Sequence, residues 1–288
     1  MIVITGATGQ LGQQIVERLL QKLPAEQVSV SVQDPQKASD FAQRGVRVRR
    51  GDFGDSASLR QAFEGASKVL ITSINDVGEK AVQKHRNAIK AAKAAGAQRI
   101  LYTSQIAANP HSLFAPARDH AAAEVDLQAS GVPFTSLRNG FYAESALWLL
   151  GPFLDTGQIV APEDGPVSWT ARADLAEAAV IALTEEGRLD GITPPLTGSE
   201  ALDFAAVAKI VSHFTGRKIR RITVSDGEYR ESLLSHGAPE WRADMVLGIF
   251  AASRAGEFSV VTSTLETLLE HPPTSFRDVL ASRIAHRQ

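Results

Sequence analysis

The sequence predicts an α/β protein, a doubly wound parallel sheet with a smaller, mostly helical C-terminal lobe. Three observations predict it. Through the first 140 residues, short apolar runs of strand length alternate with helix-patterned segments, the arrangement of parallel strands joined by helical crossovers. The first run, Ile2 to Ile4, meets its helix through Gly6, Gly9 and Gly12, three glycines at three-residue spacing. After Gly140 the alternation loosens, and glycine and proline punctuate short segments in which helical patterns dominate.

In order, the strand Ile2 to Ile4 precedes an amphipathic helix whose stripe is Leu11, Ile15, Val16, Leu19 and Leu20. Val28, Val30 and Val32 alternate with serines as strand two. Pro35 can open a helix to Arg44. Val46 and Val48 form strand three, and Leu59 and Phe63 mark a short helix capped by Asp55 or Ser56. Strand four is Val69 to Ile71. An alanine-rich helix runs from about Glu79 to Ala95 and stops at Gly96. Strand five is Arg99 to Thr103, a helix spans Ala117 to Ala129, and strand six is Phe134 to Leu137. Beyond Gly140 helices are expected at Arg172 to Leu183, Asp203 to His213, Gly227 to Leu234, Trp241 to Phe250 and Phe276 to His286. A strand is expected at Ile219 to Val224. Residues 1–140, with 167–195 returning to them, form the first domain, and 141–288 the smaller substrate lobe.

Strand, glycine turn and helix together are the context of a dinucleotide fingerprint, so the first domain is Rossmann-type. Gly6 permits the tight turn, Gly9 lets backbone approach a pyrophosphate, and Gly12 lets the helix pack close to the sheet. The helix start offers unpaired N–H groups and the positive end of its dipole, so an anion is held there without a basic side chain.

Composition excludes several classes. Hydrophobic residues make up 44% and charged residues 22%, as in an ordinary globular protein. A net charge of −2 gives no footing for nucleic acid or an anionic membrane. With no cysteine, thiolate catalysis, disulfides and cysteine-held metals are out. The scattered His111, His213, His236 and His271 have no metal spacing, and no metal is expected. Met1 leads straight into a strand and no run of ~18 apolar residues exists, so a cytoplasmic protein is expected. Glu185-Glu186 reads as a solvated helix end. A homodimer is left open.

By its opening ITGATGQLG, Gly51-Asp52-Phe53-Gly-Asp55, Tyr102-Thr-Ser104, Leu137-Arg-Asn-Gly-Phe-Tyr142 and Arg172-Ala-Asp174, the chain resembles the NmrA-like branch of the atypical short-chain dehydrogenases. Within it, it is similar to bacterial NAD(P)H:quinone oxidoreductases of the QOR2 type and triphenylmethane reductases. The resemblance implies reduction of a small, planar, electron-poor acceptor such as a quinone by NADP(H) or NAD(H). It implies that Gly6, Thr8, Gly9, Gln10, Leu11 and Gly12 wrap the pyrophosphate and that Asp52 and Phe53 flank the adenine. Thr72 and Ser73 would line the ribose and phosphate path. Tyr102, Thr103 and Ser104, with Asn139, Gly140, Phe141 and Tyr142, would face the nicotinamide. Phe141, Tyr142, Trp148 and, less directly, Trp169 and Phe250 are candidate pocket walls.

Two departures bear on mechanism. The Tyr-x-x-x-Lys pair of ordinary short-chain dehydrogenases is replaced by Pro116 and His120, and proline cannot donate a proton. His120-Ala-Ala-Ala-Glu124 matches the branch's Lys/His-x-x-x-Glu signature and shares one helix face. An imidazole near its usual pKa could donate a proton, so His120, with Tyr142, is the catalytic candidate. A surface His–Glu pair is the plainer alternative. At the end of strand two, related quinone reductases carry an arginine that grips the 2′-phosphate of NADP. Here Gln33 cannot make a bidentate ion pair, and Asp34 suits the free 2′-OH of NAD, while Lys37 keeps one positive charge nearby. NAD and NADP both stay open. A non-catalytic redox-sensing regulator of the NmrA type is the alternative function, and a reductase or epimerase dependent on His120 a third.

Overall fold

The structure, a computed structural model, describes residues 1–185 and 187–285. In chain order it contains β1 (Ile2–Thr5), α1 (Gln10–Lys22), β2 (Val28–Val32), α2 (Ser39–Gln43), β3 (Arg47–Arg50), α3 (Ser56–Ala62), β4 (Lys68–Ile71), α4 (Glu79–Ala94), β5 (Arg99–Gln105), α5 (Ala115–Ser130) and β6 (Phe134–Asn139). There follow α6 (Ala143–Leu149), α7 (Phe153–Thr156), β7 (Gln158–Pro162), α8 (Arg172–Thr184), β8 (Gly191–Ile192), α9 (Phe204–Thr215), β9 (Arg220–Val224), α10 (Asp226–Ser235), α11 (Glu240–Arg254), α12 (Thr264–Leu269) and α13 (Phe276–Ala285). The residues group into two compact units. The first comprises Met1–Pro110, Pro116–Asn139 and Ala173–Pro194; the second His111–Ala115, Gly140–Arg172 and the chain from Pro195 onward.

The first unit is a Rossmann-type parallel sheet in the order β3-β2-β1-β4-β5-β6-β8. Every neighbouring pair is parallel, as helical crossovers require. Both faces of the central strands are covered: β1 and β2 are buried at every position, the serines of β2 included. One face packs Val3, Val69, Ile71, Ile100 and Tyr102 against Leu59 and Phe63 near α3, Ala88 and Ala92 of α4, and Ala123 and Leu127 of α5. Helix α1 buries the stripe Leu11, Ile15, Val16 and Leu19 that its 3.6-residue period marks out.

The second unit is mostly helical, with a two-stranded parallel sheet of β7 and β9. Its core is aromatic. Phe141, Trp169, Phe204, Phe250 and Phe258 make ring contacts with centroids 5.1 to 6.1 Å apart, distances at which edge-to-face and offset pairs are favourable.

Several local expectations shift. The helix expected from Pro35 to Arg44 is two pieces, a 3-10 turn Pro35–Ala38 capped by Asp34 and then α2, because Ala38 leaves helical geometry (φ −115°, ψ 20°). Strand β7 was hidden in sequence by the turn signals Gly157 and Pro162 at its two ends, and β8 is only two residues long. Helices α6, α7 and α12 were also not expected. Glu186, and His286 at the expected end of the last helix, lie outside the described residues. Among the described residues, no helix is long and apolar enough to cross a membrane.

The tightest backbone approach in the first unit is at Gly12. A Cβ built there would lie 2.3 Å from the Gly6 carbonyl oxygen and 2.8 Å from its carbon. Gly12→Ala should therefore lower stability by about 1–3 kcal/mol, the usual cost of overpacking, seen as an earlier urea midpoint at unchanged slope.

Candidate functional site

The strand order reverses between β1 and β4. In open α/β sheets that switch point, at the carboxyl ends of the strands, is where ligands bind. The chain leaves β1 through Gly6 in the left-handed region (φ +63°), where a side chain would be strained. The Gly9 N–H closes the turn onto the Gly6 carbonyl at 2.9 Å. Gly9 is the N-cap of α1, and it has no side chain with which to cap the helix. No acidic residue stands in the first turn either. The leading amides of α1 are thus left for an outside anion, with the helix dipole behind them. Gly6, Thr8, Gly9 and Gln10 are exposed, whereas Leu11 and Gly12 are buried and offer only backbone.

Hydroxyls extend the sheet one residue past its ladder. The Thr72 N–H donates to Thr5 Oγ1 (2.8 Å), and Thr72 Oγ1 donates to the Thr5 carbonyl (2.9 Å). The Ser73 N–H donates to Thr103 Oγ1 (2.8 Å), which in turn donates to Ser73 Oγ (3.2 Å). The ends of β1 and β4 are tied to each other and to Thr103 of β5 beside the glycine turn, with Thr72 and Ser73 half-buried. Gln33, Asp34 and Lys37 are exposed, and Asp34 accepts from the Gln36 N–H at 3.0 Å. Asp52 turns back to accept from the Gly54 N–H (2.8 Å), while Asp55 caps α3. Phe53 is buried in the core, its ring edge-on to His85.

The three β5 residues expected to face the nicotinamide have partners within the first unit. Tyr102, Thr103 and Ser104 are all buried, and each side chain is already hydrogen-bonded inside the unit. Tyr102 belongs to a chain of rings. The Ile74 N–H donates to His85 Nε2 (3.3 Å), so the His85 proton sits on Nδ1, 3.5 Å from Tyr102 Oη. Tyr102 Oη lies 2.8 Å from His120 Nδ1. With both imidazoles neutral, the tyrosine donates to Nδ1, and His120 holds its own proton on Nε2. Burial pushes His85 down to about 4 and His120 down to about 3, the latter helped by the facing His85. His120 near neutrality is therefore a neutral hydrogen-bond donor and not the ready acid that an ordinary imidazole pKa suggests.

Nor do His120 and Glu124 form a surface pair. Glu124 is buried and accepts from Ser104 Oγ (2.8 Å), Ser136 Oγ (3.1 Å), Arg138 Nε (3.0 Å) and Arg138 Nη2 (2.6 Å). The four donors compensate a carboxylate taken out of water and lock α5 onto β5 and β6.

In the second unit, Gly140 is wedged against its own neighbours: a Cβ there would lie 2.1 Å from Thr170 Oγ1. Phe141 is half-buried among Phe114, Trp169 and Phe258. The Arg172 guanidinium lies over the Tyr142 ring at 4.7 Å, and Arg242 over the exposed Trp148 at 5.2 Å. Trp169 and Phe250 are core residues.

Two residues escaped the sequence reading. His85 could have been found as the one titratable residue on the buried stripe Ala81, His85, Ala88 and Ala92 of α4. Gln105, at the end of β5, gave no signal. Its Nε2, together with both polar atoms of the Asn139 side chain, is buried without a hydrogen-bond partner. Such atoms, the uncapped α1 amides and the space that only glycine leaves at position 12 fit a ligand carrying a diphosphate and further polar groups.

A family model for NAD(P)H-binding proteins matches residues 6–186. The chain is 37% identical to Quinone oxidoreductase 2 of Escherichia coli, over 99% of this chain and 98% of that one. The crystal structure of the E. coli NADPH-dependent quinone oxidoreductase QOR2 complexed with NADPH superposes with a TM-score of 0.93, at 35% identity, covering 99% of this chain and all of that one. The Citrobacter sp. triphenylmethane reductase complexed with NADP(H) gives 0.90 at 33% identity, covering 98% and 99%. Fold and site define a nicotinamide-dinucleotide-binding oxidoreductase. The chain belongs to the NAD(P)H-binding family.

The two depressed histidines set an acid limit on stability. Below the usual histidine pKa of about 6.5 the unfolded chain takes up protons that the folded state refuses until about pH 4 for His85 and about pH 3 for His120. Stability should fall with acidity across that window, each histidine adding ~1.4 kcal/mol per pH unit. Urea unfolding of wild type and His85→Phe at pH 7 and pH 5 checks this: the variant should lose less on acidification.

Proposed function

We propose that the chain reduces quinones or similar flat, electron-poor acceptors with NAD(P)H, without a tyrosine–lysine acid. The glycine cradle carries this reading: an uncapped helix start, exposed at the sheet's switch point and closed to any side chain at Gly12. The bound dinucleotide would supply the hydride. The amides from Gly6 to Gly12 would hold its diphosphate, with Thr8 and Gln10 at the rim. Thr72 and Ser73 would lie along the next part of its path, and Gln33, Asp34 and Lys37 would meet the adenosine ribose.

The second support is chemical. Pro116 stands where an acid would be needed, and His120 is held neutral by burial. A quinone tolerates both facts, since hydride addition yields a stable phenolate that water can protonate. The protein's task is then proximity and orientation. The kinship with a quinone oxidoreductase and a triphenylmethane reductase favours the same acceptor class.

Steady oxidation of NADH or NADPH with a quinone panel tests the proposal; tight binding of both with no turnover on any acceptor would instead point to a redox sensor. His120→Ala should retain quinone reduction to within about tenfold, and a loss of several orders of magnitude would contradict an acid-free mechanism. Because Gln33 cannot grip a 2′-phosphate, Gln33→Arg should shift relative affinity toward NADPH by about tenfold, ~1.4 kcal/mol. Fluorescence titration with both cofactors measures it.

A further inference from the structure

We infer that Gln105 and Asn139 together read the carboxamide of the nicotinamide ring. This rests on the proposal that the glycine cradle holds a nicotinamide dinucleotide. The two residues end β5 and β6 and are register partners, so their side chains leave the same face of the sheet. Asn139 is 2% exposed, yet neither its Oδ1 nor its Nδ2 has a partner. Gln105 is pinned at one end only. Its Oε1 accepts from the Ala107 N–H at 2.9 Å, which leaves Nε2 as the buried, unpaired end. Although adjacent, the two amides do not bond each other.

Burying a donor or acceptor unmet is costly, and three such atoms on neighbouring strand ends call for a common partner. The set is two donors and one acceptor. A primary carboxamide is its complement: the carbonyl takes hydrogen bonds from Gln105 Nε2 and Asn139 Nδ2, and the amide N–H donates to Asn139 Oδ1. A phosphate would leave Oδ1 facing an anion, and a ketone or quinone carbonyl would leave it empty. Position agrees. β6 lies three strands from β1, roughly 14 Å along the edge from the diphosphate seat. That is on the β4-β5-β6 side of the switch point, opposite the adenosine side at β2 and β3.

The test is equilibrium binding by titration calorimetry. It uses whichever of NADH and NADPH binds wild type more tightly, and its 3-acetylpyridine analogue, in which a methyl replaces the amide nitrogen. Wild type should prefer the amide by about tenfold or more. Asn139→Leu should weaken the natural cofactor by at least that factor and bring the ratio near one. Gln105→Met removes a donor to the shared carbonyl, along with the acceptor for the Ala107 N–H, and leaves Asn139 Oδ1 in place, so it should weaken both ligands alike and keep the ratio. Without ligand, Asn139→Leu should melt no lower than wild type, since it removes unmet polar atoms. Equal affinity of wild type for the two ligands would overturn the inference while leaving the cradle standing, as would a ratio that survives Asn139→Leu. A several-degree drop in the melting temperature of that variant would also overturn it, by showing that the amide holds the unliganded fold. Failure of wild type to bind either natural dinucleotide would bring down the cradle and the amide reader together.

Discussion

The site depends on the close packing of the start of α1 against the turn that precedes it. Hydrogen in place of a side chain at Gly12 lets the helix approach the Gly6 carbonyl to a distance no Cβ could tolerate. That approach aims the first helical amides along the sheet edge. The lack of any capping side chain at Gly9 keeps them unbound. Capping usually stabilises a helix by ~1 kcal/mol, and here it is forgone. A helix start left unsatisfied beside a topological switch point is stabilised only when an anion arrives, so fold and ligand binding are coupled through the same backbone atoms.

Around that seat the chain removes alternatives. The hydroxyls of Thr5, Thr72, Ser73 and Thr103 bond one another's residues and hold the ends of β1 and β4 against each other and β5. Glu124 is met by four donors, and the His85–Tyr102–His120 chain is neutral and directional. Most polar groups in this part of the first unit are thus paired within it. The rigid edge is what gives the remaining unpaired groups a defined position, since an orphaned amide on a mobile loop would turn to water.

Much of this was legible in the sequence. The strand–glycine–helix opening, the alternation of strands and helices and the LRNGFY segment point to the fold and the cofactor class, because backbone demands at Gly6, Gly9 and Gly12 leave a mark in residue type. What could not be read depends on burial. The hydrogen-bond partners of Tyr102, Thr103 and Ser104 are of this kind: strand alternation turns Tyr102 and Ser104 toward α5 and Thr103 toward Ser73. His120 has the spacing of a helix-surface acid until desolvation removes its charge. Strand β7, five residues between turn signals, is visible only through its pairing with β9. Gln105 is an ordinary surface-type residue in sequence, and its meaning comes from the register that sets it beside Asn139.

Under the proposed function, the absence of a tyrosine–lysine acid narrows the chemistry more than any lining residue does. A reductase that protonates its product must hold a group whose proton is available at neutral pH. Tyr102 is buried in a neutral hydrogen-bond chain, and neutral pH lies far above the value of about 3 at which His120 would take up a second proton. Hydride delivered to a simple ketone would produce an alkoxide that neither group can quench. Delivered to a quinone it produces a phenolate, and delivered to a cationic dye it neutralises a charge outright. Both products leave without help from the protein. Under the proposed function, the acceptor class is selected by the stability of the reduced anion or neutral product in water, and the pocket need only admit a flat molecule and align it.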